Sequence, residues 1–199
     1  MRAVSLFAFV ASITSASLVG AVPAAVTHEF QAGVDAYRLG KYDEARGHLE
    51  KAAASDAKLP GPHRFLAAVA QAQHRWGDCV TESRRALELN PHSNEVAETR
   101  KLHEDCRGSD GRPAFHGDLT DTAAIAVTTN VPGATVKIAG LRYGGTPVEP
   151  RQIKPGTLVV ELEKPGYKPA KITVDVLPGV VTDIAAELEP AAPAPKPSK

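Results

Sequence analysis

The chain has 199 residues, and its 23 Lys and Arg are matched by 23 Asp and Glu. A balanced chain lacks the basic surface that a nucleic-acid binder carries, and this length permits one or two domains. Aromatic residues make up only 5% of the chain, with one tryptophan, so small cores of Ala, Leu and Val fit better than one large enzyme core.

The N-terminus reads as a leader. Arg2 gives a positive start, Ala3 to Ile13 is largely apolar, and Val22-Pro23-Ala24 places compact side chains where a signal peptidase cuts. Residues 1–24 are therefore read as a signal peptide, with cleavage after Ala24 and Ala21 as second choice. The apolar run is shorter than the roughly 20 residues of a membrane span, and no cysteine near the cut offers a lipid anchor. The expectation is an exported chain, periplasmic or at the cell surface, with no transmembrane segment once the leader is removed.

Residues 27–107 have apolar positions at three- and four-residue spacing, the helical period. One helix starts at Phe30-Gln-Ala-Gly33 and stops near Gly40. A second opens at Lys41-Tyr-Asp-Glu-Ala-Arg46 and carries Leu49, Ala52 and Ala53. Ala32, Gly33, Ala36, Ala45 and Ala52 are then small residues where two antiparallel helices touch. A second pair runs from His63 to Arg75 and from Gly77 to Leu89, closing on Ala86-Leu-Glu-Leu-Asn-Pro91, and Val96 to Cys106 makes a final helix. This pattern resembles the tetratricopeptide repeat, most specifically in Gly40-Lys-Tyr-Asp-Glu-Ala45. The resemblance implies stacked helical hairpins that present a surface to a protein or peptide partner.

Gly108-Ser-Asp-Gly-Arg-Pro113 has linker composition, and residues 108–121 are read as a linker between independently folding halves. Beyond it the period becomes two. Ile125, Val127 and Thr129 alternate, as do Val136 and Ile138, then Leu158, Val160 and Leu162, then Ile172, Val174 and Val176, then Ile184, Ala186 and Leu188. Thr173, Asp175, Asp183 and Glu187 fall on the opposite, solvent-facing side. Pro-Gly pairs at 132–133, 155–156, 165–166 and 178–179 supply the turns, and Gly140 to Pro147 is read as a loop.

Five short strands of this kind make a compact sandwich or partly open barrel. Residues 122–189 resemble the PEGA domain, a small β-module of bacterial surface and envelope proteins. The resemblance rests on Thr129-Asn-Val-Pro-Gly-Ala134, Gly144-Gly-Thr-Pro147, Ile153-Lys-Pro-Gly156 and Lys164-Pro-Gly-Tyr167. The glutamate of the family's namesake motif is absent. Residues 190–199, rich in Ala, Pro and Lys, read as a disordered tail. The fold class is thus α+β in two domains: antiparallel helical-hairpin repeats, then a small antiparallel β-sandwich.

The sequence offers no recognisable catalytic residue, cofactor site or metal site. The seven histidines lack paired metal-ligand spacing, and His103-Glu-Asp-Cys106 reads as a surface histidine among solvated charges. The glycines of 140–146 lie between strands without the Gly-Lys-Ser or Gly-Lys-Thr of a phosphate loop, and Gly-x-Ser-x-Gly and His-Glu-x-x-His are absent. Trp76 reads as packing, whereas Tyr143 and Tyr167, in β-half loops, are candidate ligand contacts. Cys79 and Cys106 stand at similar heights on consecutive antiparallel helices joined by Asn90-Pro-His92, and in an oxidising compartment they are expected to form a disulfide.

These observations favour a non-enzymatic interaction or scaffold protein of the envelope. Its repeat surface would bind a protein or peptide, and its β half would attach to an envelope component. The alternative is a carbohydrate or peptidoglycan binder acting through the β half, with polysaccharide as ligand. A third possibility is an enzyme with an unrecognised site.

Overall fold

A computed structural model describes residues 24–90, 95–119 and 121–191. The leader apart from Ala24, the turn at Pro91 and His92, and the tail from 192 onward lie outside the described residues. Among the described residues are five helices: α1 (Ala24–Arg38), α2 (Tyr42–Ser55), α3 (Pro60–Ala72), α4 (Trp76–Leu89) and α5 (Val96–Ser109). Seven strands follow: β1 (Ala123–Thr129), β2 (Thr135–Ile138), β3 (Leu141–Gly145), β4 (Val148–Ile153), β5 (Gly156–Glu163), β6 (Ala170–Val176) and β7 (Val181–Ala186). No described helix is long and apolar enough to cross a membrane.

The helical half repeats itself every 34 residues, the period of the tetratricopeptide repeat. Gly40 and His74, one period apart, both adopt positive φ, 73° and 57°. Each donates its N–H three residues back, to Tyr37 and Gln71. The next residue donates five back, Lys41 to Ala36 and Arg75 to Ala70. This pair of bonds satisfies carbonyls that the end of a helix leaves open. Glu29 pairs with His48 across α1 and α2 at 2.7 Å, and one period later His63 pairs with Glu82 across α3 and α4 at the same distance, with donor and acceptor types exchanged. Helix α5 begins a third unit and ends in the same turn, Gly111 to Gly108 and Arg112 to Arg107.

Small residues let the helices approach closely. Ala45, Ala52 and Ala67 are completely buried, and a Cβ on Gly33 would stand 2.6 Å from Leu49 Cγ. Above this crossing Ala36, Ala45, Leu49, Leu66 and Val69 form a core. Ala67, Ala70, Cys79, Val80 and Cys106 form a second core between α3, α4 and α5.

The β half is a sandwich of a three-stranded sheet, β4-β1-β7, and a four-stranded sheet, β3-β2-β5-β6. Pairs are antiparallel except β1 with β7, which run parallel. The alternation read from sequence points inward as expected: Ile125, Val127, Val136, Ile138, Val160, Leu162, Val176, Ile184, Ala186 and Leu188 share one core. Gly133, Gly166 and Gly179 have positive φ at the second corner of their Pro-Gly turns, whereas Gly156, also at positive φ, already opens β5.

The expected five strands are seven because β3 and β4 carry no alternating signal. Both are edge strands, and they contain Gly144, Gly145 and Pro150, residues tolerated where only one ladder must be satisfied. The loop expected at 140–147 therefore contains β3. Pairing also extends past 189: Tyr167 bridges to Pro190, and Ala191 donates to the Gly166 carbonyl.

Two glycine replacements test the repeat register. Gly33→Ala is expected to lower stability by about 1–3 kcal/mol through overpacking against Leu49. Gly47→Ala, inside α2 with open space around its missing Cβ, is expected to raise stability by about 0.5–1 kcal/mol. Chemical denaturation of both variants checks the opposite signs.

Candidate functional site

Helices α1, α3 and α5, the first helix of each unit, lie side by side. Between them runs a groove of about 200 Å³ lined by Tyr37, Arg64, Phe65, Ala68, Glu98, Thr99 and Leu102. Phe65 meets Phe30 and Tyr37 edge to face, with ring centroids 5.7 and 5.8 Å apart. The methyl group of Ala68 leaves the space that a longer side chain would fill. The Arg64 guanidinium lies 5.2 Å from the Phe65 ring centroid, a cation–π contact. It pairs with Glu95 at 2.9 Å and Glu98 at 3.6 Å, while its Nε is buried without a protein partner.

One wall of the groove is α5, whose sequence is poor in apolar residues, so its position depends on specific ties. The first is the disulfide between Cys79 of α4 and Cys106 of α5, with Cα atoms 5.9 Å apart. Closing a 27-residue separation is worth about 3–4 kcal/mol on the chain-entropy estimate. The second is His103, 1% exposed, whose Nδ1 lies 2.9 Å from Ser83 Oγ on α4. Since the Ser83 hydroxyl donates to the Cys79 carbonyl at 2.6 Å, it accepts from Nδ1–H, which assigns the tautomer. Burial pushes the His103 pKa down to about 4, against the opposing influence of the Val181 backbone, so the ring is neutral near pH 7. The surface histidine expected here is thus a core residue, because α5 packs on α4 and faces β7.

The third tie joins the halves. Arg107, 1% exposed, donates from Nε and Nη2 to the Asp183 carboxylate of β7 at 2.7 and 2.8 Å. It also donates to Glu104 at 2.8 Å and to the Pro113 carbonyl at 3.1 Å. Arg112 approaches the same carboxylate at 3.3 Å. Around this centre Arg84 donates to the Asp175 carbonyl and Arg100 to the Pro178 carbonyl, both at 2.9 Å. Leu87, Val96 and Val180 pack together beside Leu177.

Asp183, expected at the surface, is instead covered by the helical half. Burial alone would raise its pKa, but the Arg107 hydrogen bonds and the charges of Arg107 and Arg112 hold it below the usual carboxylate range. Burial likewise works to lower Arg107, and Asp183 and Glu104 together outweigh it, so Arg107 is raised. Residues 108–121 are consequently more than a tether, since α5 continues to Ser109 and Arg107, Arg112 and Pro113 build the junction.

A larger cavity, about 420 Å³, lies between α4, α5 and β7 and includes His63, Glu82, Arg85, Glu88 and Asp183 among its lining. Its acids have dedicated partners: Glu82 has His63, Glu88 has Arg84 and Arg85, and Asp183 has Arg107 and Arg112. The groove, by contrast, offers open apolar surface. Tyr143, on β3, and Tyr167, in the turn after β5, are half-buried against the β core and do not line the groove. Trp76 is half-buried at the start of α4, its ring centroid 5.1 Å from that of His74. Among the described residues no group of three or more His, Cys, Asp or Glu is placed to hold a metal ion.

Residues 122–192 match the PEGA domain family. That span is the β half, including the Pro190 and Ala191 pairing beyond the boundary read from sequence. No curated protein matches the chain. Among solved structures, the N-terminal domain of stress-induced protein-1 from C. elegans is similar, with 20% identity and a TM-score of 0.41, covering 44% of this chain and 72% of that one.

Removing one partner from the Arg107–Asp183 pair leaves the other charge buried and uncompensated. Asp183→Ala is expected to cost about 3–5 kcal/mol, measured by urea unfolding. The depressed Asp183 pKa also sets a pH dependence. Its contribution is fully present above the unfolded carboxylate value of about 3.9 and is lost as pH falls through the lower folded value. Stability of the unmodified chain is expected to fall more steeply below about pH 4 than that of Asp183→Asn.

Proposed function

We propose that this chain is a non-catalytic interaction or scaffold protein of the cell envelope. The helical half binds a protein or peptide in the groove between α1, α3 and α5, and the PEGA-like half attaches to an envelope component. The observation that carries this reading is the open apolar groove itself. Tyr37, Phe65, Ala68 and Leu102 are each only half-buried and converge from three helices, an arrangement suited to an inserted side chain. Export is supported by the leader-like N-terminus and by the disulfide, which persists in oxidising compartments. The β half is supported by its match to a family otherwise read as an envelope module.

The junction gives the two activities a common frame. Because Arg107 fixes α5 to β7, a partner held in the groove keeps one orientation relative to whatever the sandwich touches. Affinity capture from a native envelope fraction, read by mass spectrometry, tests the reading. Ala68→Arg, which fills the groove, is expected to lose the captured protein while keeping its melting temperature. Capture of the same proteins by this variant would contradict the groove assignment. Retention on purified cell-wall polymer with no protein captured would favour the carbohydrate alternative.

A further inference from the structure

We infer that the groove selects a peptide segment in which one leucine- or phenylalanine-sized side chain is flanked by lysine or arginine, an inference that rests on the groove being the peptide site proposed above. The first reason is size. A cavity of about 200 Å³ takes one or two side chains, well below the 300–1,000 Å³ typical of small-molecule sites. Its walls are Tyr37, Phe65 and Leu102 around Ala68, so the inserted group is apolar. The Thr99 hydroxyl proton is already committed to the Glu95 carbonyl, so it offers the inserted group no donor.

The second reason is charge. Glu95 and Glu98 share a single cation, Arg64. The two acids project outward, with side chains 55% and 82% exposed, whereas Arg64 is withdrawn to 24%. Glu98 is held loosely, at 3.6 Å, and is free to turn toward an incoming cation. Asp35 lies against Arg38 and Lys101 against Asp105, while Arg100 is turned to the Pro178 carbonyl at the junction with the β half. An approaching peptide therefore meets a net negative rim around an apolar hole. A lysine or arginine beside the anchor gains an ion pair there, and an acidic neighbour is repelled.

The test uses the purified full chain and three fluorescein-labelled octapeptides with a central leucine flanked on both sides by lysine, serine or glutamate. Anisotropy is expected to rank lysine above serine above glutamate, with roughly a three- to tenfold spread for exposed ion pairs that narrows as salt is raised. Glycine in place of the central leucine is expected to remove binding in every series. Glu98→Lys, at an exposed side chain, is expected to leave the melting temperature unchanged and to invert the ranking. Equal binding of the three peptides, a preference for glutamate, or a ranking unmoved by Glu98→Lys would overturn the specificity while leaving the groove as a peptide site. Absence of binding by all three would overturn the peptide-site reading together with it.

Discussion

A guanidinium with almost no exposure sits at the end of α5, and the arrangement of the whole chain depends on how it is satisfied. Arg107 directs donors to Asp183, Glu104 and the Pro113 carbonyl, so both halves and the segment between them meet at one side chain. Desolvating such a charge costs several kcal/mol, offset only when geometry and partners are complete. The bidentate fork supplies that geometry. A hydrophobic contact could hold two surfaces together, but it would tolerate sliding. The fork fixes an orientation, and with it the position of α5 as the third wall of the groove.

The repeat explains why the chain switches from helices to strands at this point. Gly33 and Ala36 in α1, and Ala67 and Ala70 in α3, are the small residues that admit a following antiparallel helix. The corresponding positions of α5, one further period on, are Lys101 and Glu104. Neither admits a close helical partner. Glu104 instead accepts from the Val181 backbone and from Arg107, so the third unit ends on the edge of a sheet rather than on a second helix. On the sheet side, Ala124 and Ala126 are buried in register with Val181 and Asp183, which keeps that face low where the helical half covers it. The final repeat is thus closed by polar contacts to β7.

Much of this was legible in the sequence because it is local or periodic. Gly40, Ala45, Leu49 and the Pro-Gly turns announce their backbone conformation or their burial through residue type alone, and period-two alternation identified the inner face of the sandwich. The Cys79–Cys106 bridge followed from helix rise and an antiparallel connection. What was not legible requires two distant segments at once. Asp183 alternates as a solvent-facing residue should, and only the arrival of Arg107 from α5 converts it to a buried partner. His103 looks like one more charge in a polar helix until α4 and β7 cover it. The groove residues Tyr37, Arg64, Phe65, Glu98 and Leu102 converge only through the stacking of three helices, although their recurrence on the first helix of each unit was a signal available once the period was known.

The buried Arg107–Asp183 contact argues that the halves open as one cooperative unit through the α5–β7 junction, and not independently as the linker composition suggested. Native-state hydrogen exchange, followed by mass spectrometry across a urea series, measures the opening free energy of α5 and of β7 separately. The account predicts that the two segments open together, with one free energy and one dependence on urea. Exchange of α5 at urea concentrations where β7 remains fully protected would contradict it, and would mean that the Arg107–Asp183 contact does not couple the halves.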